Sequence, residues 1–119
     1  MDGVGMFSGI AEFIERATKE RLLQEERELI KDFQATGKVE AKGAVAAIDE
    51  LRIMLPAPED KTNVLIVNAT TAAAIRKQLG EEPGIRLIIT AAADTGTVYQ
   101  VTDDKLKKQL LRVMAGRSV

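Results

Sequence analysis

No cysteine, histidine or tryptophan occurs among the 119 residues of this chain. Without cysteine there can be no disulfide, thiolate nucleophile or cysteine-bound zinc, and without histidine the commonest general base and transition-metal ligand is gone. Aromatic residues make up only 3%, so few rings can stack on bases, sugars or planar cofactors, and the core must come from Leu, Ile, Val, Ala and Met. Neither sign of charge is in excess: seventeen Lys and Arg against eighteen Asp and Glu leave a net charge of −1. No overall field therefore draws the chain onto nucleic acid or an anionic membrane. No apolar run approaches the ~18 residues a bilayer span needs, and the start of the chain lacks the basic and apolar stretches of a signal peptide. These absences predict a protein without catalytic, metal or cofactor chemistry, in the interior of a cell or in a particle assembled there.

What is present is a regular alternation of helical and extended patterns. Met6 to Ala35 reads as one long helix, rich in Glu, Leu, Arg, Lys and Gln and closed by Gly37. Residues 40 to 55 carry Ala44, Ala47, Ile48, Leu51, Met54 and Leu55 on one stripe and read as a second helix, stopped by Pro56 and Pro58. Val64 to Val67 is a short β-branched run suited to the centre of a small sheet. Asn68 to Thr71 can cap a following helix that Gly80 ends. Ile85 to Thr90 and Thr97 to Val101 read as two strands of a hairpin, and Asp103 or Thr102 caps a final helix. The expected fold is α+β. A long N-terminal helix and a second helix precede a three-stranded mixed sheet with a strand-helix-strand crossover, a hairpin and a C-terminal helix. Residues 1–37 form a helical contact segment and 38–119 a compact α/β body within a single domain.

Three patterns could carry chemistry. Asp94-Thr95-Gly96 resembles the active-site loop of aspartic proteases, a chemistry that needs two carboxylates sharing one proton and hence a dimer here. Asp and Gly are also ordinary turn residues, and the turn is the preferred reading. Asn68, Thr70 and Thr71 stand at a helix start, where backbone N–H groups can hold an anionic group. No glycine lets a phosphate approach closely, however, and capping accounts for the same residues. Lys105, Lys107, Lys108 and Arg112 line the last helix behind Asp103 and Asp104. This order suits the helix dipole, and no aromatics are interleaved as a nucleic-acid face would have them.

The long helix is the most informative element. At about 100° per residue, Met6, Phe7, Ile10, Phe13, Ile14 and Ala17 fall on one side, and Leu22, Leu29, Ile30 and Phe33 on nearly the opposite side. No Pro or Gly between Ala11 and Gln34 would bend the helix where the stripe changes face. One half is thus expected to pack at home and the other, the terminal half with Phe7 and Phe13, to meet a protein partner.

The stretch AVAAIDELRIMLPAPEDKTNVLIVNATTAAAIRKQL, Ala44 to Leu79, resembles the axial-domain segment of tailed-phage major capsid proteins. There an amphipathic helix, a Pro-containing loop, an apolar strand ending in Asn and a following helix occur in this order. The resemblance implies a virion or shell component and no catalytic residues. The function expected is that of a non-enzymatic assembly or interaction subunit, a homo-oligomer or part of a larger assembly. The alternative is a small regulatory module binding an anionic ligand at Asn68, Thr70 and Thr71.

Overall fold

A computed structural model describes residues 2–54, 62–81 and 84–117, with side chains described for 17–53, 62–81 and 84–114. The elements in chain order are α1 (Asp2–Ala35), β1 (Val39–Gly43), α2 (Ala44–Met54), β2 (Asn63–Val67), α3 (Ala69–Leu79), β3 (Ile85–Ile89), β4 (Thr97–Val101) and α4 (Asp104–Arg117). Four helices and a mixed four-stranded sheet place the protein in the α+β class.

Local chemistry explains where the helices stop and start. Gly37 adopts a φ of 77°, the Lys38 N–H donates to the Phe33 carbonyl and the Gly37 N–H to that of Gln34. This is the Schellman closure, which calls for a left-handed residue that glycine supplies without steric cost. Asn68 caps α3 by accepting the Thr71 N–H at 2.8 Å, and Asp103 caps α4 by accepting the Leu106 N–H at 2.9 Å.

The sheet differs from the sequence expectation in two respects. Its order is β1-β4-β2-β3, so it has four strands rather than three, and the expected hairpin between Ile85–Thr90 and Thr97–Val101 does not form. β3 pairs parallel with β2, while β4 runs antiparallel on the far side of β2 and is itself flanked by antiparallel β1. Burial explains the order. All five residues of β2 are buried, as are Val98, Tyr99 and Val101 of β4, so both strands take interior places. β3, carrying exposed Arg86 and Ile89, is left at the edge.

The additional strand is β1, which occupies the first part of the segment expected to be helical. Gly43 is a poor interior helix residue, at about 1 kcal/mol relative to Ala, and helix begins only at Ala44. Upstream, pairing of Val39 with Val101 and Ala41 with Tyr99 outweighs local helix propensity. Lys42 reaches across to Glu50 of α2 at 2.5 Å. That hydrogen bond, more than the Coulomb attraction of Glu50 and Glu40, raises the lysine's pKa.

Alternation along the strands makes two cores. On one face Val39, Val64, Ile66, Tyr99 and Val101 pack with Ile30 of α1 and Leu106 of α4. On the other, Leu65, Val67 and Val98 pack with Ala47, Ile48 and Leu51 of α2 and Ala72 and Ile75 of α3. The sheet is thus sandwiched between α1 with α4 and α2 with α3. Full burial of each large aliphatic side chain is worth about 1.5–3 kcal/mol.

The home face of α1 keeps Ile30 and Phe33 of the expected stripe but takes Leu23 in place of Leu22 and Leu29. Ile30 is buried, and Leu23 and Phe33 pack against the core, whereas Leu22 and Leu29 are each 50% exposed. The inward row is 23, 26, 30, 33, the three- and four-residue spacing of a helix face. Its polar member Glu26 accepts a hydrogen bond from the Thr90 hydroxyl at the end of β3.

Candidate functional site

The Asp94 loop is built as a turn. The Thr97 N–H donates to the Asp94 carbonyl at 3.2 Å, and Gly96, third in the turn, has a φ of 82°. A positive φ at this place is what a type II turn requires. The Tyr99 hydroxyl donates to Asp94 Oδ2 at 3.3 Å, so the carboxylate anchors a core tyrosine. Burial, and after it the charge of Asp94, pushes the Tyr99 phenol above its ordinary value. The folded state therefore holds this proton when the unfolded chain begins to lose it near pH 10. The stabilisation is complete below that pH and is lost as pH rises through the raised value. In alkaline melts above about pH 10, Tyr99→Phe is expected to lose Tm less steeply than the wild-type chain. Parallel slopes would contradict the assignment.

The start of α3 is committed to internal contacts. Asn68 Oδ1 accepts from Thr71, Asn68 Nδ2 donates to the Thr95 hydroxyl, and Thr71 Oγ1 accepts the Gly96 N–H at 3.0 Å. Thr71 is only 3% exposed. The helix cap and the 94–97 turn are thus tied together, closing the end of the sheet over β2. Of the three residues considered for an anionic ligand, Thr70 alone is exposed with no side-chain hydrogen bond among the described residues. On α4, Lys105, Lys108 and Arg112 are exposed and Lys107 lies 3.9 Å from Asp104, a solvated face with one local ion pair.

The residues expected to meet a partner fall in the first half of α1. Its backbone is helical from Asp2, and the side chains of Met6, Phe7, Ile10, Phe13 and Ile14 lie outside those described. Ala17 is exposed, as are Lys19 to Leu22 that follow it. A helix of 34 residues runs about 51 Å at ~1.5 Å per residue. The molecule measures 61 × 31 × 29 Å, with a radius of gyration of 17.4 Å. A compact chain of this length has roughly 13.5 Å. Among the described elements only α1 is long enough to set the 61 Å dimension.

The sequence reading missed a groove at the outer edge of β3. A space of about 510 Å³ is lined by Ile75 and Arg76 of α3, its cap Gly80, Glu81, Ile85 to Leu87 of β3, and Met114 of α4. Since α3 and α4 lie on opposite faces of the sheet, a groove touching both wraps its free edge. The signal available beforehand was the strand Ile-Arg-Leu-Ile-Ile itself, too apolar for an unguarded edge.

Among the described residues no cluster of acidic side chains is placed to hold a metal ion, and no helix is long and apolar enough to cross a membrane. Comparison of the chain with family models, curated proteins and solved structures finds no match.

Proposed function

We propose that this chain is a non-enzymatic interaction or assembly subunit whose contact element is the first half of α1. In this reading Met6, Phe7, Ile10, Phe13, Ile14 and Ala17 dock on a neighbouring subunit, and the sheet with α2, α3, α4 and the second half of α1 is the scaffold that carries them. The observation that carries it is the reach of α1. The second half of the helix is anchored by Leu23, Ile30, Phe33 and the Glu26 to Thr90 bond, and the helix continues from there back to Asp2. Helical periodicity sets two Phe and two Ile of the sequence on one side of this half, an apolar stripe of the kind that association buries.

A narrower version is a phage virion or shell component. What supports it is the order α2, β2 ending before Asn68, and α3 within residues 44–79, the order of helix, strand and helix in the capsid segment that the sequence resembles. Neither version needs a cofactor, and either is compatible with the cytoplasm or an assembled particle.

The absence of native cysteine makes a site-specific label straightforward. A nitroxide on Ala17→Cys is expected to show a motionally restricted spectrum at high protein concentration, becoming mobile on dilution or when Ile10 and Ile14 are both replaced by Asp. A mobile spectrum throughout would count against docking by this half of the helix.

A further inference from the structure

We propose that the free edge of β3 accepts an extended acidic segment of a partner protein as a fifth strand of the sheet. The direction of the backbone groups is the starting point. The Asn63 N–H donates to the Gly84 carbonyl and the Thr90 N–H to the Val67 carbonyl. Gly84 and Thr90 are an even number of residues apart, so every second backbone unit between them, Arg86 and Ile88, also faces β2. Ile85, Leu87 and Ile89 then turn their N–H and C=O groups away from the sheet. Among the described residues the one partner of these outward groups is the Arg86 guanidinium, 3.5 Å from the Ile85 carbonyl. No Pro or Lys guards the strand, although edges left to solvent usually carry such residues.

The groove around this edge sets what can lie there. Ile85 and Leu87 pack on the α2 and α3 face with Ile75 nearby, so side chains of an added strand pointing that way meet apolar surface. Arg86 is in register with Val64, which faces α1 and α4, so the alternate side chains meet a guanidinium. Arg76 lines the same groove, and Glu81 is the one acid on its wall. The complementary segment therefore alternates apolar and acidic residues, pairing its main chain with β3 and its carboxylates with Arg86, while Arg76 adds positive charge to the same groove. A second copy of this chain fits less well. Pairing two β3 edges about a two-fold axis would gather four arginines against two Glu81 carboxylates, a like-charge arrangement that disfavours cross-strand pairing. The inference concerns a second surface and goes beyond docking by α1.

The test uses two synthetic hexapeptides, one alternating Val and Glu and one alternating Val and Lys, titrated into the isotopically labelled full chain at low salt. The Val-Glu peptide is expected to bind at least tenfold more tightly. Binding should shift the amide resonances of Ile85, Leu87 and Ile89 and slow their hydrogen exchange. In the double variant Arg76→Glu, Arg86→Glu the preference is expected to invert, which a general loss of structure would not produce. The proposal is overturned if neither peptide perturbs these amides, if both bind equally, or if the shifts map to α4. It is also overturned if the amides are already protected without peptide in a concentration-dependent manner, the mark of a second copy on the edge.

Discussion

Replacing Ile30 with Asp is expected to lower the unfolding temperature by roughly 20 °C or more, whereas Leu29→Asp, one residue away, should change it by only a few degrees. Ile30 is 7% exposed in the core beneath α1 and α4, and Leu29 is 50% exposed. The buried substitution forfeits about 2–5 kcal/mol of aliphatic packing. It also places a carboxylate at a buried position, a further cost of several kcal/mol. A domain of this size is stabilised by only about 5–15 kcal/mol in total. Thermal melts by circular dichroism distinguish the two variants. Equal losses would mean that α1 presents its other stripe to the sheet.

The second large effect concerns the sheet order. Glu40 of β1 and Gln100 of β4 are register partners, so their Cα atoms are about 4.5–5.5 Å apart, within the disulfide range. The chain has no other cysteine to compete. The double variant Glu40→Cys, Gln100→Cys is expected to oxidise to a single intramolecular disulfide. By closing a loop of about 60 residues it should gain on the order of 4 kcal/mol, raising Tm by roughly 15 °C over its reduced form. A helix through residues 40 to 43, as the local sequence pattern suggests, would not hold Glu40 in strand register with Gln100. Failure to form the bond under mild oxidation, read by mass spectrometry, would contradict the four-stranded sheet.

The parts of this fold that were legible in the sequence are those written in local chemistry. Gly37, Asn68, Gly80 and Asp103 mark helix ends because a positive φ or a capping acceptor is needed at one position and few residues supply it. Val64 to Val67 could be placed at the centre of the sheet because a strand covered on both faces has no polar alternation to offer. The parts that were hidden depend on contacts distant in sequence. β1 contributes one buried side chain, Val39, and its remaining residues are exposed or half-buried, so pairing with β4 rather than its own pattern makes it a strand. The positions of β3 and β4 on opposite sides of β2 follow from competition for the sheet interior, which no local signal encodes.

The candidate surfaces divide in the same way. The terminal half of α1 is visible from the sequence as a change of apolar stripe near residues 18 to 21, a local periodicity. Of the home stripe, Ile30 and Phe33 were legible and Leu22 and Leu29 were misassigned, because Glu26, a polar member of the inward row, broke the apolar spacing that leads to Leu23. The β3 groove could not be anticipated, since Arg76 and Arg86 belong to different elements and share a wall only after the crossover from β2 through α3 has brought them together.

The central claim, that the first half of α1 is an intermolecular contact, is tested most directly by molar mass from light scattering over a concentration series. The wild-type chain and the Ile10→Asp, Ile14→Asp variant would be compared, with a thermal melt recorded for each. The wild-type mass is expected to rise above the 12.9 kDa of one chain as concentration increases. The variant should remain at that mass while keeping the wild-type melt. A wild-type chain that stays monomeric at every concentration, with a variant that loses its thermal transition, would place these residues in the protein's own core and contradict the claim.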